Sequence, residues 1–173
     1  MEILGLGVVE KDHNLNWYRS KPMLVPVLGN KRCRIVVKGY DEDRKKEGFH
    51  TAIANFLSIT PSVLEVAAHH VFQYYEACKA NWGPDDKQFT KIKSAASVFR
   101  HVRLGSEPMV TRRAYGDKGV YVSLECGCDW EPEHGLQIVF KNGLRVNKVG
   151  PYDGHLTNSD AYASKKLEDV IYW

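Results

Sequence analysis

Apolar positions along the chain change period twice. Residues 3–9 hold Ile3, Leu4, Leu6, Val8 and Val9, and read as a first strand. Asp12, Asn14 and Asn16 follow as a turn. Trp17-Tyr18 and Met23–Leu28 read as a second strand, which Pro22 and Pro26 push to an edge or break. Over residues 31–39, Cys33, Ile35 and Val37 alternate with Arg32, Arg34, Val36 and Lys38, the pattern of a half-buried strand. From Phe49 the spacing becomes helical. Phe49, Ile53, Phe56 and Leu57 share one helix face, and Leu64, Ala67, Ala68, Val71, Tyr75 and Cys78 form a second stripe. Thr60-Pro61 reads as the restart between them, with Thr60 as cap and Pro61 in the first turn.

Asn81-Trp82-Gly83-Pro84-Asp85-Asp86 is loop chemistry, and Ser94–His101 reads as a short helix. Period two then returns. Val110 and Arg112 share a face, as do Val120, Val122, Leu124 and Cys126, and then Leu136, Ile138 and Phe140. Asn142-Gly143 is a hairpin turn, because both residues accept positive φ. Residues 153–160 read as loop, and Leu167–Trp173 as a short docked element. The expected fold is α+β: an antiparallel β-sheet or meander packed against a central helical pair. It would form a single domain over 1–173, β-rich at 1–40 and 108–150 with the helices at 48–80. Without a βαβ rhythm, a Rossmann-type fold is not expected.

Composition supports a soluble globular chain: 173 residues, 43% hydrophobic and 26% charged, can bury a core without disulfides or metal. No run reaches the length of a membrane span, and the start lacks a basic signal-peptide region, so the expectation is cytoplasmic with no membrane partner. Four cysteines in no secreted spacing are expected to be reduced. The net charge of +3 is too small to imply nucleic acid. Lys31, Arg32, Arg34, Lys38, Arg44, Lys45 and Lys46 form a basic run beside Tyr40, but alternation spreads them over a solvated strand face and a linker.

The charge is reversed in one place. Residues 125–136 hold Glu125, Asp129, Glu131 and Glu133 and no Lys or Arg. If that segment is extended, Asp129, Glu131 and Glu133 leave one face, a hard-cation ligand set to which His134 or His155 adds nitrogen. Cys126, Cys128, His134 and His155 are a weaker zinc set, since Cys-x-Cys is tighter than the usual knuckle. A thiolate–imidazole pair is disfavoured, because the carboxylates raise a thiol pKa. The alternation places Arg112 on the apolar face, with Asp129 or Glu131 as its expected partner. The remaining reading is a recognition surface. Trp130 is its aromatic anchor, Glu131, Glu133 and His134 its charged rim, and Tyr152, Asp153 and His155 its second loop.

The same residues carry a resemblance. Cys128-Asp129-Trp130-Glu131-Pro132-Glu133-His134-Gly135-Leu136, then Asn142-Gly143, then Val149-Gly150-Pro151-Tyr152-Asp153-Gly154-His155-Leu156, resembles an uncharacterised bacterial domain family. Gly39-Tyr40-Asp41 and Val98-Phe99-Arg100-His101-Val102 fit its layout. Related small bacterial domains stand beside polymorphic toxins, so the resemblance implies an immunity-type protein whose partner is a protein toxin. It carries over no catalytic residues and no cofactor. The alternative left open by the residues is a divalent cation on Asp129, Glu131, Glu133 and His134, as a metal-binding protein or a metal-dependent hydrolase.

Overall fold

Strands from both β-rich segments join one sheet. In this computed structural model, which describes residues 1–81 and 89–173, eight strands run in the order β1-β2-β3-β6-β8-β9-β10-β11. They are β1 (Glu2–Ile3), β2 (Gly7–Asp12), β3 (Trp17–Ser20), β6 (Val36–Lys38), β8 (Met109–Arg112), β9 (Val120–Cys128), β10 (Leu136–Lys141) and β11 (Arg145–Gly150). β7 (Val102–Arg103) pairs with the far end of β9, and β4 (Met23–Val25) pairs with β5 (Lys31–Cys33) in a separate ribbon. Two long helices, α1 (Glu47–Ser58) and α2 (Ser62–Ala80), lie in the connection between β6 and β8. The α+β fold expected from the periodicity is present. Of the loop read at 81–86, all but Asn81 lies outside the described residues.

Three local expectations are corrected. The strand read at 3–9 is a hairpin: Leu6 N–H donates to Ile3 O at 3.0 Å, and Gly5 at φ +87° lets the chain reverse. The strand read at 31–39 divides between the ribbon and the main sheet, because Arg34 and Ile35 bond outside both pairings. The sheet is mostly antiparallel, as expected, with β6 and β8 its parallel pair. A parallel pair needs a long crossover, and the helical pair supplies it. At the helix restart, Thr60 Oγ1 bonds Ser62 Oγ at 2.8 Å and caps no backbone N–H.

One face of the sheet packs on the helices. Tyr18, Val37, Val110, Val122, Leu124, Ile138, Phe140 and Val149 meet Phe49, Ile53 and Phe56 of α1 and Leu64, Ala67, Val71 and Tyr75 of α2. The Phe56 and Phe140 rings touch edge-on at 5.3 Å. Each fully buried side chain of this size contributes about 1.5–3 kcal/mol. The helix axes turn by 92° between α1 and α2, and no single helix is long and apolar enough to cross a membrane.

The register fixes what occupies the opposite face. Trp17 stands beside Lys38 and Arg19 beside Val36, with Val36 opposite Met109 and Met109 opposite Ser123. Farther along, Glu125 pairs with Gln137 and Val139 with Lys148. Half of this face is covered by the C-terminal segment, where Leu156 packs on Tyr121 and Val139. That segment includes α3 (Asn158–Ala161), whose Asp160 N–H donates to Thr157 Oγ1 at 3.0 Å. It ends on the sheet edge, where Val149 N–H donates to Ile171 O at 2.7 Å. The other half of the face carries no such cover among the described residues.

Candidate functional site

Two buried cations hold the cover in place. Arg113, 3% exposed, donates from Nε and Nη2 to the two Asp160 oxygens at 2.7 and 2.8 Å. It also donates to both oxygens of Glu168, from Nη2 at 2.9 Å, and stands 3.5 Å from Asp117. Its bonds to Asp160 and Glu168 raise its pKa and hold both carboxyls below their usual range. Lys148, 1% exposed, reaches Gln137 Oε1 at 2.9 Å, the Asp153 carboxylate and His155 O. Burial lowers its pKa, and Asp153 opposes that shift. The segment past Tyr152 is therefore fixed, and the cover stops there.

The acidic stretch builds a wall beside the uncovered half. Past Cys128 it is a turn and not an extended strand. Glu131 Oε1 accepts from Glu133 N–H at 3.1 Å and His134 N–H at 3.2 Å, and Gly135 N–H closes back on Glu131 O at 3.0 Å. Tyr74 Oη donates to Gly135 O at 3.1 Å, and Tyr152 N–H to His134 O at 3.3 Å. Trp130 secures the turn from below. It is 2% exposed and lies edge-on to the Tyr74 and Tyr75 rings, with centroids at 6.0 and 5.9 Å. Trp130, the aromatic anchor of the recognition-surface reading, is thus a core residue.

The other expected ligands part company. Asp129 turns away to Arg103 and to His101 Nδ1 at 3.2 Å, and Arg103 followed by His101 lowers its carboxyl pKa. Arg112 meets neither Asp129 nor Glu131. It pairs with Asp43 and donates to Lys118 O at 2.6 Å and Lys45 O at 2.8 Å, at the start of α1. Asp153 is committed to Lys148 and to His155 N–H at 2.8 Å. Glu131, Glu133 and His134 do converge, with ligand atoms all within 4.8 Å of one another. The zinc and thiolate sets find no support in the thiols. Cys126 and Cys128 both lie in the core facing the helices, and burial pushes them up to about 12 and about 11.

What the turn encloses is a groove of about 540 Å³ on the open sheet face. Its floor is Trp17, Arg19, Val36 and Met109, its near wall Pro132, Glu133, His134 and Tyr152, and its far side Ser106 and Glu107. Glu125 rises from β9 between them. Arg19 Nη1 pairs with Asp12 at 2.6 Å and its Nε lies 3.6 Å from Glu107. Glu125 and Glu133 have no Lys or Arg within ion-pair distance among the described residues. Burial, then Glu125 and Asp153, push the Tyr152 hydroxyl pKa up. The sequence reading missed Trp17, Arg19, Glu107 and Met109. Their signal was present: on a strand whose Tyr18 faces the core, Trp17 and Arg19 must face away.

These features define an α+β protein whose large sheet, half covered on its second face, leaves an acidic, aromatic-edged groove. The chain belongs to a family described as Domain of unknown function (DUF6985), whose model matches residues 5–156. The match takes in the whole groove and stops at Leu156, so α3 and the carboxylates that bind Arg113 lie beyond it. No curated protein and no solved structure matches the chain.

Proposed function

We propose that the chain is a non-catalytic binding protein of the toxin-immunity type, which neutralises a protein partner through the acidic groove. The observation that supports this best is the pair of uncompensated carboxylates, Glu125 and Glu133, beside half-exposed Trp17 and exposed Tyr152 in a chain of net charge +3. Such a patch pairs with a basic surface at contact range and offers it aromatic contact. The reading carries with it a bacterial, cytoplasmic setting. Of the residues first singled out, Glu133, His134 and Tyr152 line the groove, Glu131 shapes its wall, Trp130 supports that wall from below, and Asp153 and His155 lie outside the lining, against Lys148.

The test is rescue of growth. The chain is co-expressed with each protein encoded beside its own gene. Rescue from a growth-inhibiting neighbour by the wild type, lost in Glu125→Lys/Glu133→Lys, is the expected result. Equal rescue by the double variant would move the interface elsewhere, and no inhibitory neighbour would sink the immunity reading.

A second reading rests on the convergence of Glu131, Glu133 and His134. Two carboxylates and an imidazole within reach of one another could hold a divalent cation, without the Asp129 first counted among them. A bound ion must raise stability. A melting increase with Ca²⁺, Mn²⁺ or Zn²⁺ that disappears in Glu133→Gln/His134→Asn would support it, and no increase with any of the three would end it.

A further inference from the structure

We infer that the groove on the open sheet face is a recognition site for an arginine side chain of the partner. The inference rests on the binding reading above and names the chemistry that reading leaves open.

Charge comes first. Glu107, Glu125 and Glu133 line the groove against one guanidinium, Arg19, which Asp12 already neutralises at 2.6 Å. An anionic occupant is repelled. A cation gains two carboxylates, Glu125 and Glu133, that have no Lys or Arg within ion-pair distance among the described residues. Because the chain as a whole is +3, long-range attraction for a cation is weak, and recognition must come from the groove itself.

Shape and surface separate arginine from lysine. The same groove holds two aromatic side chains, Trp17 and Tyr152. A guanidinium is planar, stacks on aromatic faces and binds carboxylates in a two-pronged fashion; an ammonium is a compact, strongly hydrated charge. The floor between, Val36 and Met109, is apolar and matches the methylene stem of an arginine. The face lies on paired strands, so the occupant does not add a strand to the sheet. It lies across the side chains instead.

The probe is the capped tripeptide Arg-Arg-Arg, with Lys-Lys-Lys and Glu-Glu-Glu as comparisons, titrated calorimetrically into the full chain at low salt. Arg-Arg-Arg is expected to bind several-fold more tightly than Lys-Lys-Lys, and Glu-Glu-Glu not at all. Glu125→Gln/Glu133→Gln should weaken Arg-Arg-Arg at least tenfold and Trp17→Ala several-fold. Glu76→Gln, on the exposed side of α2, should change nothing. Amide spectra of each variant confirm that it is folded.

Equal affinity for the arginine and lysine peptides overturns the inference, as does arginine binding that survives the double variant. Peptide binding without growth rescue leaves the site standing and removes the immunity reading. Rescue that depends on Glu125 and Glu133 without peptide binding removes the arginine site and leaves that reading intact.

Discussion

Arg113→Met removes the cation that ties the C-terminal segment to the sheet. The wild-type guanidinium is 3% exposed and bonds both oxygens of Asp160 and of Glu168, with Asp117 beside it. Replacing it by Met keeps much of the volume and leaves three carboxylates facing a buried apolar chain. Breaking a buried pair by removing one partner costs about 3–5 kcal/mol. For a chain of this length each kcal/mol lowers Tm by about 2–4 °C, so a fall of roughly 10 °C is expected by calorimetry at pH 7. Amide exchange should rise first at residues 156–170, since the sheet keeps its own bonds.

The pH dependence carries the sign. In the wild type, Asp160 and Glu168 are held below their usual range by Arg113. Asp117 sits at about 2: burial pushes it up, but bonds from Lys141, the Gly119 N–H and Tyr121 outweigh that. Depressed carboxyls stabilise above their unfolded pKa and lose that contribution as pH falls through the folded values, so the wild type weakens below about pH 4. In Arg113→Met, Asp160 and Glu168 lose their cation and repel, and their pKa values rise. The folded variant then binds more protons than the unfolded chain, and its stability should increase from pH 7 to about pH 5. Adding Asp160→Asn and Glu168→Gln to Arg113→Met should recover most of the loss, because the isolated charges are what cost. A loss below about 1 kcal/mol, or a variant that weakens with acid in parallel with the wild type, would refute the reasoning.

Three further outcomes follow from the same structure. Gly143→Ala should cost about 2–3 kcal/mol of stability, seen as a lower urea midpoint with m unchanged, because the position has φ +66° and a Cβ would stand 2.0 Å from Ala52 O of α1. Cys126 and Cys128, pushed up to about 12 and about 11, should resist iodoacetamide at pH 8 in the native protein and label only after denaturation, as read by mass spectrometry. Trp130→Ala should cost about 3–5 kcal/mol in chemical denaturation and Trp130→Phe much less, since the ring packs between Tyr74 and Tyr75 and its indole N–H has no hydrogen-bond partner among the described residues.

The fold class was legible because period and turn chemistry are local. The helical stripe at Phe49, Ile53 and Phe56 became α1, and Asn142 and Gly143 took φ +52° and +66° in the turn expected of them. What local pattern cannot carry is which strands become neighbours. The parallel contact of β6 with β8 joins residues separated by both helices, and no alternation in either strand encodes it. Arg112 shows the same limit. Its face was readable, but its partner Asp43 lies in the charged connection after the neighbouring strand β6, 69 residues earlier in the chain. Arg113, one residue on and so on the other face, is the more buried of the two, because its cover comes from residues 160–168. The acidic stretch was visible as composition. Its shape was not, because the Glu131 side chain turns back on its own backbone and removes the extended geometry on which a three-carboxylate face depended.

The groove is therefore a product of what covers the rest of the sheet face. A sheet with one face on helices and the other bare would expose Tyr121 and Val139, both fully buried here. The C-terminal segment solves that problem over β9, β10 and β11, and its two cation pins fix where it lies. It leaves the face of β3, β6 and β8 uncovered, where the side chains are Trp17, Arg19, Lys38, Met109 and Thr111 around a sunken Val36. Such a surface can stay in water without a cover, because long polar side chains shield the apolar ones. β9 and the acidic turn each add to this surface one carboxylate with no internal cation, Glu125 and Glu133. Unlike Arg113, Lys148 and Arg112, whose charges are all met within the chain, Glu125 and Glu133 have their counter-charge still to find. That asymmetry, one face saturated with matched pairs and one edge left with unmatched acid beside aromatic rings, is the physical basis for placing a cationic partner there.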